Sequence, residues 1–209
     1  PDVDVALTTR ELARMIDRAG INFKELPDEE FDAPMGVSTG AGAIFGATGG
    51  VMEAALRTAA CWLTGSDAAP VEFTEVRGMD GVKEASYQLG DLTLNVAVAS
   101  GLANARKLLE SVKSGEKTYH FMEIMGCPGG CVNGGGQPVQ PARVRNWVDL
   151  RGLRAAALYE EDKSLPLRKS HENPVLQEIY KSFLETPGSH VAHQVLHTSY
   201  RKRGRFTSL

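Results

Sequence analysis

The sequence is poor in cysteine, in net charge and in long apolar runs, and each shortage excludes a class of protein. Three cysteines among 209 residues, two of them in one short motif, do not make a disulfide framework. The formal net charge of −3 argues against broad nucleic-acid binding. No apolar run approaches the roughly 20 residues that a membrane-spanning helix needs, and no charged-then-apolar signal stretch opens the sequence.

The remaining composition is that of an ordinary globular protein. Charged residues make up 23% and hydrophobic residues 42% of the sequence, so the chain can form one sizeable domain or two small lobes. The few cysteines favour a reducing, cytoplasmic location. Because the sequence begins at Pro1 without a methionine, we expect it to be a piece of a longer chain or a processed subunit.

Two of the three cysteines lie in a glycine-rich run, Met122–Pro138, whose sequence is Met-Glu-Ile-Met-Gly-Cys-Pro-Gly-Gly-Cys-Val-Asn-Gly-Gly-Gly-Gln-Pro. Pro128, directly after Cys127, excludes a regular strand or helix because it fixes φ and has no N–H. The glycines around Cys131 leave amide groups free to line an anion site. Thiolates surrounded by such donors hold iron–sulfur clusters in proteins. The alternatives are a glycine-rich turn with two incidental thiols, or a disulfide.

A second glycine-rich stretch, Gly36–Gly50, opens a predicted helix over Val51–Thr64. A glycine-rich loop that leads into a helix N-terminus is an anion site, through its amide donors and the helix dipole. Dinucleotide binding is one interpretation. However, Gly40-Ala-Gly42 lacks the G-x-G-x-x-G spacing directly after a strand, which weakens that interpretation.

The run Glu123–Pro138 resembles the third sequence motif of the iron-only (FeFe) hydrogenases, although Gly126 stands where that family most often has alanine. The resemblance implies that Cys127 and Cys131 are iron ligands. In the family these cysteines bind a 4Fe–4S cluster, which one thiolate joins to a di-iron subcluster with CO, CN and dithiolate ligands. The resemblance further implies that Cys131 is the bridging thiolate.

Ser38–Arg57 resembles the segment that lines the di-iron site in the same family. The resemblance implies that Phe45 and Gly46 touch the diatomic ligands, and that Met125 walls the same site with its thioether. The further cofactor-binding residues that it implies are Gly42, Ala43, Thr48 and Gly49. A small apolar loop with free N–H groups would also suit carbonyl and cyanide ligands, because cyanide is anionic and accepts hydrogen bonds.

Two earlier motifs of the family, each of which supplies a cluster cysteine, are absent from the sequence. The resemblance therefore covers about the second half of the family's catalytic domain. It implies that an N-terminal half, in the same or another chain, supplies two further cysteines, and that ferredoxin or other redox subunits exchange electrons. The implied activity is the reversible reduction of protons to H2. The alternative is a hydrogenase-like iron–sulfur assembly or sensory protein without turnover.

The predicted fold is α/β: a parallel or mixed sheet lobe with flanking helices over residues 1–140, followed over residues 141–209 by wrap-around helices that resemble a fused small subunit. The predicted strands are Val3–Leu7, Val71–Val76, Ala85–Leu89, Leu92–Ala99 and Tyr119–Ile124. The predicted helices include one capped by Thr8, then Val51–Thr64, Leu102–Val112, Val144–Tyr159, Pro174–Leu184 and a short one within Ser189–Tyr200. A strand–helix–strand unit implies a parallel pair, with the cysteine loop at its carboxyl end. Both glycine-rich loops should therefore converge there.

For the remaining candidate metal ligands, a structural role is favoured over metal binding. Cys61 lies in a predicted helix without a ligand partner at metal spacing, so we expect a core residue. His190, His193 and His197 could form a metal-binding face, but without an acidic or cysteine partner an amphipathic surface helix is favoured.

Overall fold

The computed structural model describes residues 4–29, 32, 37–66, 70 and 72–199. The strands are β1 (Val82–Leu89), β2 (Leu92–Ser100) and β3 (Phe121–Met125). The helices are α1 (Thr9–Arg18), α2 (Gly40–Ala43), α3 (Gly50–Thr64), α4 (Leu102–Lys113), α5 (Ala142–Arg145), α6 (Leu150–Ser164), α7 (Pro174–Ile179) and α8 (His190–Leu196). Among these residues, no helix combines the length and apolar content needed to cross a membrane.

The three strands form one mixed sheet in the order β1-β2-β3. β1 and β2 pair antiparallel as a hairpin, with Leu89 opposite Leu92. β2 and β3 pair parallel, with Val96 opposite Phe121, and α4 connects them along the chain. The structure thus confirms the predicted α/β fold, the hairpin and the parallel pair that delivers the cysteine loop.

The core lies on both faces of β2, because successive strand residues point to opposite sides. Val96 and Val98 pack with residues of α3, among them Met52 and Leu56. The intervening Ala97 and Ala99 pack against α4. β2 is therefore sandwiched between two helices, which agrees with the continuous apolar run that the sequence places in this strand.

α1 begins with the capping box that the sequence predicts. The Thr8 hydroxyl accepts a hydrogen bond from the Glu11 amide at 3.3 Å, and the Glu11 carboxylate accepts one from the Thr8 amide at 2.8 Å. The apolar stripe of the helix is nevertheless half-exposed at Leu12 and Met15. Local capping, rather than burial, therefore fixes where this helix starts.

Two predicted strands are wrong over the residues that the structure describes. Thr74–Val76 forms a 3₁₀ turn instead of a strand. Phe73 and Val76 both enter the core cluster, and side chains three apart share a face in a 3₁₀ turn but not in a strand. Residues 4–7 are not a strand either, since no neighbouring strand pairs with them in the described sheet.

Two predicted helices are interrupted. The stretch Val144–Tyr159 divides into α5 and α6, because the Asp149 side chain accepts a hydrogen bond from Gly152 N at 3.0 Å and starts a new helix. The stretch Pro174–Leu184 changes after α7 into a π-helical turn, Tyr180–Leu184. The helix predicted within Ser189–Tyr200 ends at Leu196, and Tyr200 lies outside the described residues.

A buried ion-pair network joins α3 to α6. Arg57, fully buried, binds Asp162 through both terminal nitrogens, at 2.7 and 2.8 Å, and Glu53 at 2.9 Å. Burial alone would raise the pKa of Asp162, but hydrogen bonds from Arg57 and Arg168 outweigh it and hold that pKa below its ordinary value. Arg77 binds both oxygens of Glu53 from the other side, at 2.7 and 2.6 Å.

Removal of Asp162, the acid that binds both Arg57 and Arg168, should show how much this network contributes to stability. Replacing Asp162 by alanine leaves Arg57 buried and short of a charge partner, so we expect the free energy of unfolding to fall by roughly 3–5 kcal/mol. Glu160→Ala, on the exposed side of the same helix, is the matched control and should change it by less than about 0.5 kcal/mol. Urea denaturation followed by circular dichroism gives both values. Equal stabilities of the two variants would contradict the prediction.

Candidate functional site

The two glycine-rich loops meet backbone to backbone at the carboxyl end of β3. The Thr48 amide donates a hydrogen bond to the Gly129 carbonyl at 3.2 Å. Gly130 has φ +93°, and a Cβ there would lie 2.7 Å from both Gly46 O and Thr48 N. Only a residue without a side chain allows so close an approach. The predicted convergence of the two loops is therefore confirmed.

Both cysteines of the loop present free, exposed thiols, while their main-chain carbonyls hold the loop in shape. The Cys127 carbonyl accepts a hydrogen bond from Gly130 N at 3.0 Å, and the Cys131 carbonyl accepts one from Gly134 N at 2.9 Å. Val132 buries its side chain directly after Cys131. The loop is thus anchored through its backbone and Val132, which leaves both sulfur atoms available to a ligand.

Side chains from distant helices fix the rest of the cysteine loop. Arg154 of α6 donates to the Val132 carbonyl at 3.0 Å, and Arg10 of α1 donates to the Gly135 carbonyl. Gly136 packs against Thr8, because a Cβ added at Gly136 would lie only 2.3 Å from the Thr8 Cβ. The loop is therefore clamped between the first helix and the long helix that follows it.

The amide N–H groups that stay free lie mainly on the cysteine loop, because the turn at the end of the first glycine-rich loop uses its own. Thr48 N donates to Gly129 O, Gly49 N to the Glu123 carboxylate, and Gly50 N to Ala47 O. The expectation of free N–H groups is thus wrong at these positions, because the fold itself uses them. On the cysteine loop, the amides of Gly126, Cys127 and Gly129 have no acceptor among the residues that the structure describes.

Of the three residues predicted to face the di-iron unit, Met125 and Gly46 lie where the loops meet. The Thr48 hydroxyl donates to the Met125 sulfur at 3.8 Å. Gly46 is wedged against α6, since a Cβ there would lie 2.6 Å from Leu158 Cδ1. Phe45 is 46% exposed and borders, with Trp62, a cavity of about 390 Å³ along α3.

The other residues predicted to bind the cofactor do not all lie beside the cysteine loop. Thr48 and Gly49 are buried beside the cysteine loop. Gly42 is exposed and borders a different cavity, of about 300 Å³, against α7, so its role and that of the neighbouring Ala43 stay predictions. Cys61 is 6% exposed within α3, which confirms it as a core residue.

A buried carboxylate that sequence reasoning missed ties the two loops together. The two oxygens of Glu123, on β3, accept hydrogen bonds from Gly49 N and Met52 N, both at 2.7 Å. They therefore cap the N-terminus of α3, where a negative charge is stabilised by the helix dipole.

A buried lysine, also missed, acts on the same turn from β1. Lys83 Nζ donates to Thr48 O at 3.1 Å and to Gly78 O at 2.8 Å. Burial lowers the pKa of Lys83 to about 8, although Glu123 and Asp80 oppose the shift. One signal was available in the sequence: Lys83 lies two residues before Ala85 in an alternating strand, which places it on the inward face.

The donor set fits one side of an iron–sulfur cluster. Two exposed thiols four positions apart and unpaired amide groups around them are the groups that such clusters use. A 4Fe–4S cluster usually takes four thiolates, and the third cysteine of the sequence, Cys61, is buried in α3. The chain's own residues thus account for two ligands.

Comparison with known proteins identifies the family of this chain. Residues 1–135 match the family described as iron only hydrogenase large subunit, C-terminal domain, and residues 148–203 match the iron hydrogenase small subunit. The chain belongs to the iron-only hydrogenase family, whose members contain iron–sulfur clusters. Within that family it corresponds to the C-terminal part of the large subunit.

Named relatives and solved structures agree. The chain is 55% identical over 205 residues to the NADP-reducing hydrogenase subunit HndD of Solidesulfovibrio fructosivorans, covering 98% of this chain and 34% of that protein. It is 48% identical to iron hydrogenase 1 of Clostridium pasteurianum, covering 96% and 35%. An FeFe-hydrogenase structure from Chlamydomonas reinhardtii superimposes with a TM-score of 0.70 at 43% identity, covering 95% of this chain and 55% of that one. The chain thus spans about a third of the curated hydrogenases that it matches.

A second group of relatives carries a different name. The cytosolic iron-sulfur assembly component 3 of Mus musculus is 32% identical over 203 residues, covering 95% of this chain and 41% of that protein. The relatives of this chain thus include proteins named for cluster assembly as well as hydrogenases.

The contact between the loops predicts that Gly130 tolerates no side chain. Alanine there must adopt a left-handed backbone and displace Gly46 and Thr48, so we expect the free energy of unfolding to fall by at least about 1–3 kcal/mol. Gly126→Ala is the control, because no atom lies within 4 Å of a Cβ there, and it should change stability by less than about 0.5 kcal/mol. Urea denaturation of both variants measures the difference; a stable Gly130→Ala protein would contradict the close contact.

The lowered pKa of Lys83 predicts a specific pH dependence. The unfolded lysine titrates near 10.5 and the folded one near 8, so between these values the unfolded state binds more protons and stability rises with pH. Wild type should therefore gain stability relative to Lys83→Met as pH rises from about 8 to about 10.5. Denaturation curves of both proteins across this range give the difference, and a pH-independent difference would contradict the shift.

Proposed function

We propose that this chain is the C-terminal part of an active iron-only hydrogenase, which catalyses the reversible reaction 2H⁺ + 2e⁻ to H2. The observation that carries the proposal is the junction of the two loops. Exposed Cys127 and Cys131, the thioether of Met125 and the Thr48 turn meet at one end of the sheet. A loop that only terminated a strand would not need this contact with a second glycine-rich loop.

In this proposal Cys127 and Cys131 would hold a 4Fe–4S cluster, and Cys131 would be the thiolate that joins it to a di-iron subcluster with CO, CN and dithiolate ligands. When bound, the cluster supplies the redox-active iron at which protons and electrons combine. The free amides of Gly126, Cys127 and Gly129 would donate hydrogen bonds toward the thiolates and cluster sulfurs, which tunes the potential of such clusters.

The neighbouring residues shape the pocket. Met125 provides a soft, apolar wall that excludes water, and the Thr48 hydroxyl orients its sulfur. Gly46 keeps the first loop thin against α6. Phe45 is next to it in the chain and borders the cavity along α3, so its place at the di-iron unit is what the family resemblance implies. Gly42, Ala43 and Gly49 complete the proposed cofactor-binding set, with Gly49 acting through the turn that it forms before α3.

The proposal requires a partner. An N-terminal half of the hydrogenase domain, in the same or another chain, would supply two further cysteines, and ferredoxin or other redox subunits would exchange electrons with the cluster. We further propose residues 1–140 as the catalytic lobe and residues 141–209 as helices that wrap it in the manner of a small subunit.

The second candidate function is iron–sulfur cluster assembly without hydrogen turnover, favoured by the 32% identity to cytosolic iron-sulfur assembly component 3. The identity of 55% to a hydrogenase subunit is higher over a similar length. The set of Phe45, Gly46 and Met125, which the resemblance places at the di-iron unit, is complete in this chain. Hydrogenase activity is therefore the better supported function.

Infrared spectroscopy of the complete, matured protein tests the proposal. A hydrogenase should show bands of iron-bound CO and CN and should produce H2 from reduced methyl viologen. A protein with a 4Fe–4S cluster but neither property would be of the assembly type.

The cysteine assignments give a sharper form of the test. Cys131→Ser should abolish the CO and CN bands, because it removes the proposed bridging thiolate. Met125→Leu should keep the bands, shifted, and lower turnover by on the order of tenfold, since a wall of the site changes but no ligand is lost. Cys61→Ser, in the core of α3, is the control for a cysteine outside the site and should leave the bands unchanged. Normal bands in Cys131→Ser would refute the assignment.

A further inference from the structure

The Thr48–Gly49 turn is held from two sides by buried charges that no proposed ligand contact uses. Glu123 is 6% exposed and receives the Gly49 and Met52 amides. Lys83 is 7% exposed and donates to the Thr48 carbonyl. The peptide group between Thr48 and Gly49 is thus held at both its carbonyl oxygen and its N–H.

The sheet places these two charges in one row. Lys83 on β1 and Glu123 on β3 are both register partners of Val98 on β2. Directly paired residues of neighbouring strands project to the same face. The row therefore faces α3 and the turn that precedes it, with the fully buried Val98 between the two charges.

Glu123 also lies on the strand that delivers the cysteines. It is two residues before Met125 and four before Cys127, so its carboxylate connects the base of the cysteine loop to the first glycine-rich loop. A short hydrogen bond to a charged acceptor is stronger and more directional than a neutral one. A shift of the Glu123 side chain must therefore change the position of the Thr48 turn relative to Met125.

We propose that Glu123 and Lys83 are positioning residues for the di-iron pocket, a proposal that rests on the proposed hydrogenase function. They hold the Thr48–Gly49 turn, and through it the Thr48 hydroxyl and the Phe45–Gly46 segment, at a fixed distance from Met125 and the cysteine loop. Neither residue touches the reacting atoms. Their effect passes through the turn.

The burial of both charges favours positioning over simple stabilisation. Removing charged groups from water is costly, and well-packed apolar residues usually serve stability as well as buried charges do. What apolar residues do not provide is a directional hold on individual peptide groups. The Lys83 and Glu123 hydrogen bonds supply that hold on the Thr48–Gly49 peptide group.

The test uses the complete, matured enzyme and the variants Glu123→Gln and Lys83→Met. Glutamine has the shape of glutamate but replaces one acceptor oxygen by a donor, which would face a main-chain N–H. We expect both variants to keep their 4Fe–4S content, to show shifted or broadened CO and CN bands, and to lose on the order of tenfold to a hundredfold in turnover. Glu84→Gln is the matched control, because Glu84 lies next to Lys83 on β1 but pairs with Lys117 on the exposed face; it should leave the bands unchanged.

The outcomes separate the two proposals. If wild type itself lacks CO and CN bands, the proposed function fails. If wild type shows them and both variants match it in band position, band width and turnover, the positioning role is overturned. A loss of stability without any spectral change would also overturn it, because that result assigns the pair to the core alone. If Glu123→Gln does not accumulate in folded form, the Lys83→Met spectrum decides the question.

Discussion

The buried charge network around Arg57 is the interaction on which the arrangement of this chain most depends. It contains three acids and three arginines, Glu53, Glu72, Asp162, Arg57, Arg77 and Arg168. It joins α3, whose N-terminus follows the first glycine-rich loop, to α6, whose Arg154 holds the cysteine loop. Because buried charges need partners in defined places, the network fixes the two helices, and the helices fix the two loops.

The loops themselves depend on the absence of side chains at a few positions. A Cβ on Gly49 would lie 1.9 Å from the Val76 carbonyl oxygen, and one on Gly50 1.7 Å from that of Ile44. Together with Gly130, these glycines allow the first glycine-rich loop to contact both the turn at Val76 and the cysteine loop through main-chain atoms. Glycine density at this end of the sheet therefore reflects close packing of main chain. On the first loop it does not create an array of open amide donors, since Thr48, Gly49 and Gly50 all donate within the fold.

Local and periodic features were predictable from the sequence, whereas features set by distant partners were not. The Thr8 capping box, the hairpin at Gly90 and the buried Cys61 follow from short-range patterns. Over the residues that the structure describes, the strand predicted at Val71–Val76 is wrong, because Phe73 and Val76 share a core contact that only the folded sheet defines. The alternation of β1 predicts that Lys83 faces inward, but the roles of Glu123 and Lys83 could not be predicted, because each depends on a backbone group that lies far away along the chain.

The two cysteines of the loop belong to no core cluster of the described residues and lie at the surface. Their loop is shaped by its own carbonyls, by Val132 and by arginines from two helices. In a zinc finger the metal contributes the folding energy. Here backbone and arginine contacts shape the loop without either sulfur atom. Under the proposed function, a cluster would therefore enter a loop whose shape the scaffold has already set.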